Sequence, residues 1–139
     1  MGIKALLDTH TLVWWWTDNR RLPKAARDAI ADPDNTIFVS AATAWEIATK
    51  YRLGKWPEVE RLVADFEVLL SQSQFTGMPI SIAHARLAGT LAGTHRDPFD
   101  RMLIAQARLE SAVLITGDAI FQRYHLPVVW RSSGSALQS

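Results

Sequence analysis

Four acidic residues, Asp8, Glu46, Asp100 and Asp118, stand where segments of contrasting character meet. Asp8 directly follows the apolar run Ile3–Leu7, and Asp118 closes the turn Thr116-Gly117-Asp118 after Ala112-Val113-Leu114-Ile115. Glu46 and Asp100 are expected in the first turns of helices, within Ala41–Arg52 and after Asp97-Pro98. Taken singly, each has an ordinary role: Asp8 as a helix cap, Glu46 as the far half of a Thr43-x-x-Glu46 capping box, Asp100 as a partner for the helix dipole, Asp118 as a turn residue. Gathered at one rim, they would repel and raise one another's pKa unless cations compensated them. Hard divalent ions such as Mg²⁺ or Mn²⁺ prefer oxygen ligands and keep waters that become nucleophiles, so the chemistry that follows is phosphodiester hydrolysis.

The elements that would position these groups alternate between strand and helix. Ile3–Leu7, Thr36–Val39, Ala112–Ile115 and Val128–Trp130 read as strands, the first as one buried on both faces, and Met78-Pro79-Ile80 reads as a short extended piece. Thr9–Trp16, Leu22–Ile30, Ala41–Arg52 and an amphipathic stretch opening at Pro57 read as helices. Ser81 caps a further helix through Leu91, and Asp97 with Pro98 opens another through Glu110. This alternation predicts an α/β fold of three layers, a mainly parallel central sheet flanked by helices. In such sheets, sites form beyond the carboxyl ends of the strands, where all four acids would then converge.

At 139 residues, 48% of them hydrophobic and 21% charged, the chain is sized and composed for one compact domain, expected over 1–131, with a flexible tail over 132–139. The absence of cysteine excludes disulfides, thiolate zinc sites and iron–sulfur clusters. The apolar start is too short for a signal sequence or a membrane span, so the expected location is cytoplasmic. His10, His84 and His125 lack ligand spacing with one another. A net charge of +1 does not by itself specify a polyanionic partner. Trp14, Trp15 and Trp16 sweep roughly 200° of a helix, so they cannot all face one core.

Leu6-Leu7-Asp8-Thr9-His10, Val39–Ile47, Leu53-Gly54-Lys55, His95–Ala107 and Thr116-Gly117-Asp118-x-x-Phe121 together resemble the PIN-domain proteins, in particular the VapC toxin ribonucleases of bacterial toxin–antitoxin pairs. The resemblance runs in order from Asp8 to Phe121, and Asp-Pro-Phe-Asp-Arg is its most specific block. It implies a PIN-like fold and an acidic quartet of Asp8, Glu46, Asp100 and Asp118 that binds Mg²⁺ or Mn²⁺ and cleaves RNA endonucleolytically. It also implies a homodimer and a small VapB-like antitoxin whose C-terminal segment fills an apolar groove; Trp14, Trp15, Trp16, Leu53 and Trp56 are the candidates for that groove. Asp97 stands outside the quartet as a cap or supporting acid. Thr9 and Thr116 are candidates to hydrogen-bond the carboxylates, His95 and Arg96 to touch RNA phosphate, and Arg101 to pair with the acidic cluster.

Two other enzyme classes fit less well. A phosphatase using Asp8 as nucleophile would want a second acid two residues on, where His10 stands, and a receiver domain would want a paired acid beside Asp8. Nucleotide-binding loops of the Walker or Gly-x-Gly-x-x-Gly kind are absent. The non-enzymatic alternative is a PIN-fold protein that binds RNA or a partner without turnover.

Overall fold

Lys4–Leu7 (β1) runs through the middle of a five-stranded sheet because, after the exposed Lys4, its side chains Ala5, Leu6 and Leu7 are apolar on both faces. Ala5 and Leu7 enter one buried cluster with Ile37, Val39 and Ile115, while Leu6 enters the opposite one with Leu114. The computed structural model describes residues 2–93 and 95–131, so the tail expected at 132–139 lies outside the described residues. The other strands are Thr36–Ser40 (β2), Thr76–Met78 (β3), Val113–Ile115 (β4) and Val128–Val129 (β5). Their order is β3-β2-β1-β4-β5, and every adjacent pair is parallel. Because β2 and β4 flank β1 on opposite sides, the chain changes direction across the sheet at the β1–β4 junction, and a crevice opens there beyond the strands' carboxyl ends.

Helices cover both faces, giving the three layers expected. The first face carries α1 (Thr9–Trp16), α2 (Lys24–Ala31), α3 (Ala41–Arg52), α4 (Glu60–Ala64) and α5 (Phe66–Ser73), anchored by Leu12, Ala26, Ile47, Leu62 and Phe66. The second carries α7 (Pro98–Leu109), which buries Leu103, Ile104 and Ala107, and α6 (Ile82–Thr90) beside it. Ser81 caps α6 reciprocally with His84: its hydroxyl accepts the His84 N–H and the His84 Nδ1 accepts the Ser81 N–H, both at 3.0 Å. The His84 Nε2 lies 2.9 Å from Glu110, so this buried histidine is occupied in joining α6 to the end of α7.

Three local expectations change. The extended piece expected at 78–80 lies earlier, at 76–78, because Pro79 has no N–H to continue the ladder. The amphipathic stretch after Pro57 is not one helix: a 3₁₀ turn over Pro57–Val59 leads into α4, and Asp65 at φ −114° and ψ 23° separates α4 from α5. Trp15 and Trp16 pack against the first-face core through Phe75 and Phe66, and the Trp16 Nε1 donates to Ser73 Oγ at 2.8 Å.

Candidate active site

Asp8 is the residue immediately after β1 and stands at the head of α1, yet its carboxylate makes no capping bond. It is buried, and its Oδ2 accepts from the Thr116 hydroxyl at 2.8 Å. Thr116 is the equivalent residue after β4, and its oxygen also accepts the Asp118 N–H at 3.0 Å. One hydroxyl thereby ties Asp8 to the loop that carries Asp118 across the β1–β4 crevice. Burial raises the Asp8 pKa, opposed by the Thr116 bond and the neighbouring His10, while the charge of Glu46 raises it further.

Glu46 is also buried, but it sits in the second turn of α3 rather than the first. The helix follows β2 directly, and Ser40 is its cap, accepting the Ala42 N–H at 2.9 Å. No capping box with Thr43 forms; instead the Thr9 hydroxyl donates to Glu46 Oε1 at 2.7 Å and lies 3.3 Å from Thr43 Oγ1. The other carboxylate oxygen receives the Lys50 ammonium one turn on. Burial pulls the Lys50 pKa down, but its hydrogen bond and charge contact with Glu46, with Asp97 and Asp100 adding, leave it raised.

Asp97 caps α7, its Oδ1 accepting the N–H groups of Phe99 at 2.9 Å and Asp100 at 3.2 Å, and Pro98 supplies the first helical residue. The cap holds Asp100 in the first turn, half-buried. His95 Nε2 lies 3.0 Å from its Oδ2. Burial pushes the Asp100 pKa up to about 6; the His95 bond opposes this, and the charges of Asp97, Asp8 and Glu46 add to it. Asp8, Glu46 and Asp100 therefore lie within electrostatic reach of one another.

Asp118 is exposed and caps the 3₁₀ turn Ala119–Tyr124, accepting the Ile120 N–H at 3.0 Å. It shares with Asp8 a cavity of about 490 Å³ lined also by His10, Trp14, Arg21 and Trp130, among others. Among the described residues, no three His, Asp or Glu side chains are gathered closely enough to hold a metal ion as they stand. The oxygens are turned instead toward Thr116, Thr9, Lys50 and His95. The donor set nevertheless suits a hard cation: all four are carboxylates, and two of them have pKa values raised by burial, with the charges of neighbouring acids adding to it.

The remaining candidates divide. Arg101 does not pair with the acids; its guanidinium donates to the carbonyls of Ala88 at 2.9 Å, Leu91 at 2.8 Å and His95 at 2.9 Å. That clamp ties the end of α6 to the segment carrying His95, whose imidazole is directed at Asp100. Arg96 is exposed. Trp14, Trp15, Trp16 and Trp56 all pack against the first-face core; of these Trp14 also lines the cavity and Trp56 meets His10 at a tilt with centroids 5.2 Å apart, while Leu53 is exposed. Sequence reasoning missed the role of Lys50, although a Glu followed four residues later by Lys on a helix is itself a pairing signal. It also missed Trp130 as a cavity wall.

Residues 5–126 match the PIN domain. A 75-residue stretch is 37% identical to Ribonuclease VapC16 of Mycobacterium tuberculosis, covering 49% of this chain and 52% of that protein, so the chain spans about half the length of the curated relative it matches. Solved structures with the same fold include VapBC from Salmonella typhimurium bound to DNA, with TM-score 0.65 and 20% identity over 91% of this chain and 96% of the other. VapBC-1 from nontypeable Haemophilus influenzae superimposes with TM-score 0.64 and 19% identity, over 91% and 96% of the two chains. The domain match spans most of the sequence and includes all four acids: this chain belongs to the PIN-domain family.

Proposed function

We propose that this protein is a Mg²⁺- or Mn²⁺-dependent endoribonuclease acting as the toxin of a type II toxin–antitoxin pair, with Asp8, Glu46, Asp100 and Asp118 as its metal-holding set. The observation that carries the reading is the grouping of the buried Asp8 and Glu46 with the half-buried Asp100 beyond the carboxyl ends of a parallel sheet, where burial and one another's charges raise the pKa values of Asp8 and Asp100. A divalent ion, if held there by these carboxylates, would supply activation of a water and stabilisation of the charge that develops at the scissile phosphate. The chain's own contribution is to aim the oxygens. Thr116 fixes Asp8, Thr9 and Lys50 fix Glu46, His95 holds Asp100, and Asp97 keeps the head of α7 in place.

The similarity to Ribonuclease VapC16 and the fold shared with VapBC complexes support RNA as substrate and a small VapB-like antitoxin as partner. The exposed Leu53, with Trp56 beside His10, offers that partner an apolar footing outside the cavity that Trp14 lines. A single domain over 1–131, a homodimer and a cytoplasmic location complete the reading; among the described residues, no helix is long and apolar enough to cross a membrane. The test is incubation of purified protein with an RNA pool, with Mg²⁺ or with EDTA, and mapping of cut positions. Cleavage that needs Mg²⁺ and is lost in a folded Asp8→Asn variant is expected; cleavage unchanged by Asp8→Asn would leave a PIN-fold binding protein without turnover at this site.

A further inference from the structure

The cavity beside Asp8 and Asp118 has a wall that the acidic site does not require. Trp14 on α1 and Trp130 just after β5 meet with ring centroids 6.0 Å apart and planes inclined at 42°, forming a bent aromatic surface. The Trp130 position depends on Gly117: a Cβ there would stand 2.5 Å from the indole ring, so only glycine lets the ring lie against the backbone that follows β4. Arg21 places its guanidinium 5.9 Å from the Trp14 ring centroid, and Arg131 also lines the cavity. Both arginines are exposed at the rim, the guanidinium of Arg21 lying over the Trp14 ring.

We propose that this cavity is a subsite for one unpaired nucleotide of the RNA strand, its base lying on the Trp14–Trp130 wall and its phosphates on Arg21 and Arg131. The inference rests on the ribonuclease reading and deepens it by placing one base of the substrate on named residues of this chain. Every base has a flat π-face that stacks on an aromatic side chain, but only when it is not enclosed in a duplex. Guanidinium groups supply the matching contacts to phosphate. The volume of about 490 Å³ falls within the ~300–1,000 Å³ of small-ligand pockets. Because Asp8 and Asp118 line the same cavity, a nucleotide held there neighbours the phosphate to be cut. An apolar protein segment matches the lining less well, since two carboxylates and two guanidinium groups share it with the indoles.

The test measures binding of a short fluorescein-labelled single-stranded RNA, and of its duplex, by fluorescence anisotropy in EDTA, where cleavage is suppressed. Trp14→Leu and Trp130→Leu are expected to weaken single-strand binding about tenfold or more, and Trp14→Phe, which keeps a ring, to stay within about threefold of the unsubstituted protein. Arg21→Ala, on the surface and harmless to the core, should weaken binding and reduce the slope of log K against log salt by about 0.7. Duplex binding should change little across the set, and circular dichroism confirms that each variant is folded. Folded Trp14→Leu and Arg21→Ala proteins that bind the single strand as the unsubstituted protein does, or that lose single strand and duplex alike, overturn the subsite; the first result is also what a cavity reserved for a protein segment gives. The two readings fail separately. Cleavage that depends on Asp8 without ring-dependent binding removes only the subsite, whereas ring-dependent binding without any Mg²⁺-dependent cleavage removes the nuclease.

Discussion

The Thr116 hydroxyl and the Asp8 carboxylate are joined by a 2.8 Å hydrogen bond that crosses from the end of β4 to the end of β1. Both groups are buried, and the bond opposes the burial that raises the Asp8 pKa. Thr116→Val removes the donor while keeping the shape, so Asp8 should hold its proton to higher pH. The expected result is a loss of about 1–3 kcal/mol of stability at neutral pH, the cost of leaving a buried carboxylate short of a partner. The acidic limb of the cleavage–pH profile should move to higher pH. Thr116→Ser restores the donor and should restore both; a Thr116→Ser protein as impaired as Thr116→Val would mean that the methyl group, not the hydrogen bond, matters.

Asp100 gives the metal-free protein a specific dependence on pH. Its pKa rises from an ordinary 3.8 to about 6, so the folded state binds this proton more tightly than the unfolded chain does. The stabilising contribution is therefore complete below pH 3.8 and is lost as pH rises through about 6. Asp100→Asn removes that loss. At pH 7 without divalent ions, the variant should be more stable than the unsubstituted protein by about 1–2 kcal/mol, a figure discounted for partial solvent screening of the carboxyl. Mg²⁺ should reverse the ranking, stabilising the unsubstituted protein by up to ~2.7 kcal/mol at a hundredfold excess over Kd and Asp100→Asn far less. Thermal melts at pH 4 and pH 7, with and without Mg²⁺, read all of these; an unsubstituted protein indifferent to Mg²⁺ would contradict the metal assignment.

Much of this arrangement is legible in the residues themselves. Asp97-Pro98 announces a helix start because a side-chain acceptor and a residue without an N–H satisfy the same free end, and the structure has both in those roles. The runs before Asp8 and Thr116 read as buried strands because a central parallel strand is apolar on both faces. Other features depend on contacts distant in sequence. The Glu46 carboxylate takes the Thr9 hydroxyl, 37 positions away, rather than a capping contact with Thr43, and the Thr43-x-x-Glu46 pattern gives no sign of that. Arg101 reads as a partner for nearby acids, yet the carbonyls of Ala88, Leu91 and His95 each take a bond from one of its three nitrogens. Trp130 becomes a cavity wall only once β5 pairs with β4 and brings its end beside Gly117.

Lys50 supplies positive charge inside the acidic group, where it holds Glu46 and lies near Asp97 and Asp100. Lys50→Met keeps the aliphatic stem and deletes the charge, leaving the buried Glu46 carboxylate with the Thr9 hydroxyl as its remaining close partner among the described contacts. Without divalent ions, the variant should lose about 1–3 kcal/mol of stability, and Mg²⁺ should stabilise it more than it does the unsubstituted protein because it replaces the missing cation. Cleavage should fall through misplacement of Glu46 and recover in Lys50→Arg. Equal stabilisation of Lys50→Met and the unsubstituted protein by Mg²⁺ would show that Lys50 and the ion do not answer the same charge.

Arg101 acts on the site through His95. Its guanidinium holds the His95 carbonyl at 2.9 Å, and the His95 imidazole lowers the pKa of Asp100 against the pull of burial. Lysine cannot span the three carbonyls that arginine reaches, so Arg101→Lys should cost about 1–2 kcal/mol of stability and loosen the segment between α6 and α7. With His95 less firmly placed, Asp100 should hold its proton to a pH above about 6, and the acidic limb of cleavage should move upward in Arg101→Lys as it does in His95→Ala. The double variant separates positioning from plain destabilisation. If Arg101 works through His95, adding Arg101→Lys to His95→Ala lowers the melting temperature without moving the pH profile further; a second shift of the profile would mean that Arg101 reaches Asp100 by another route.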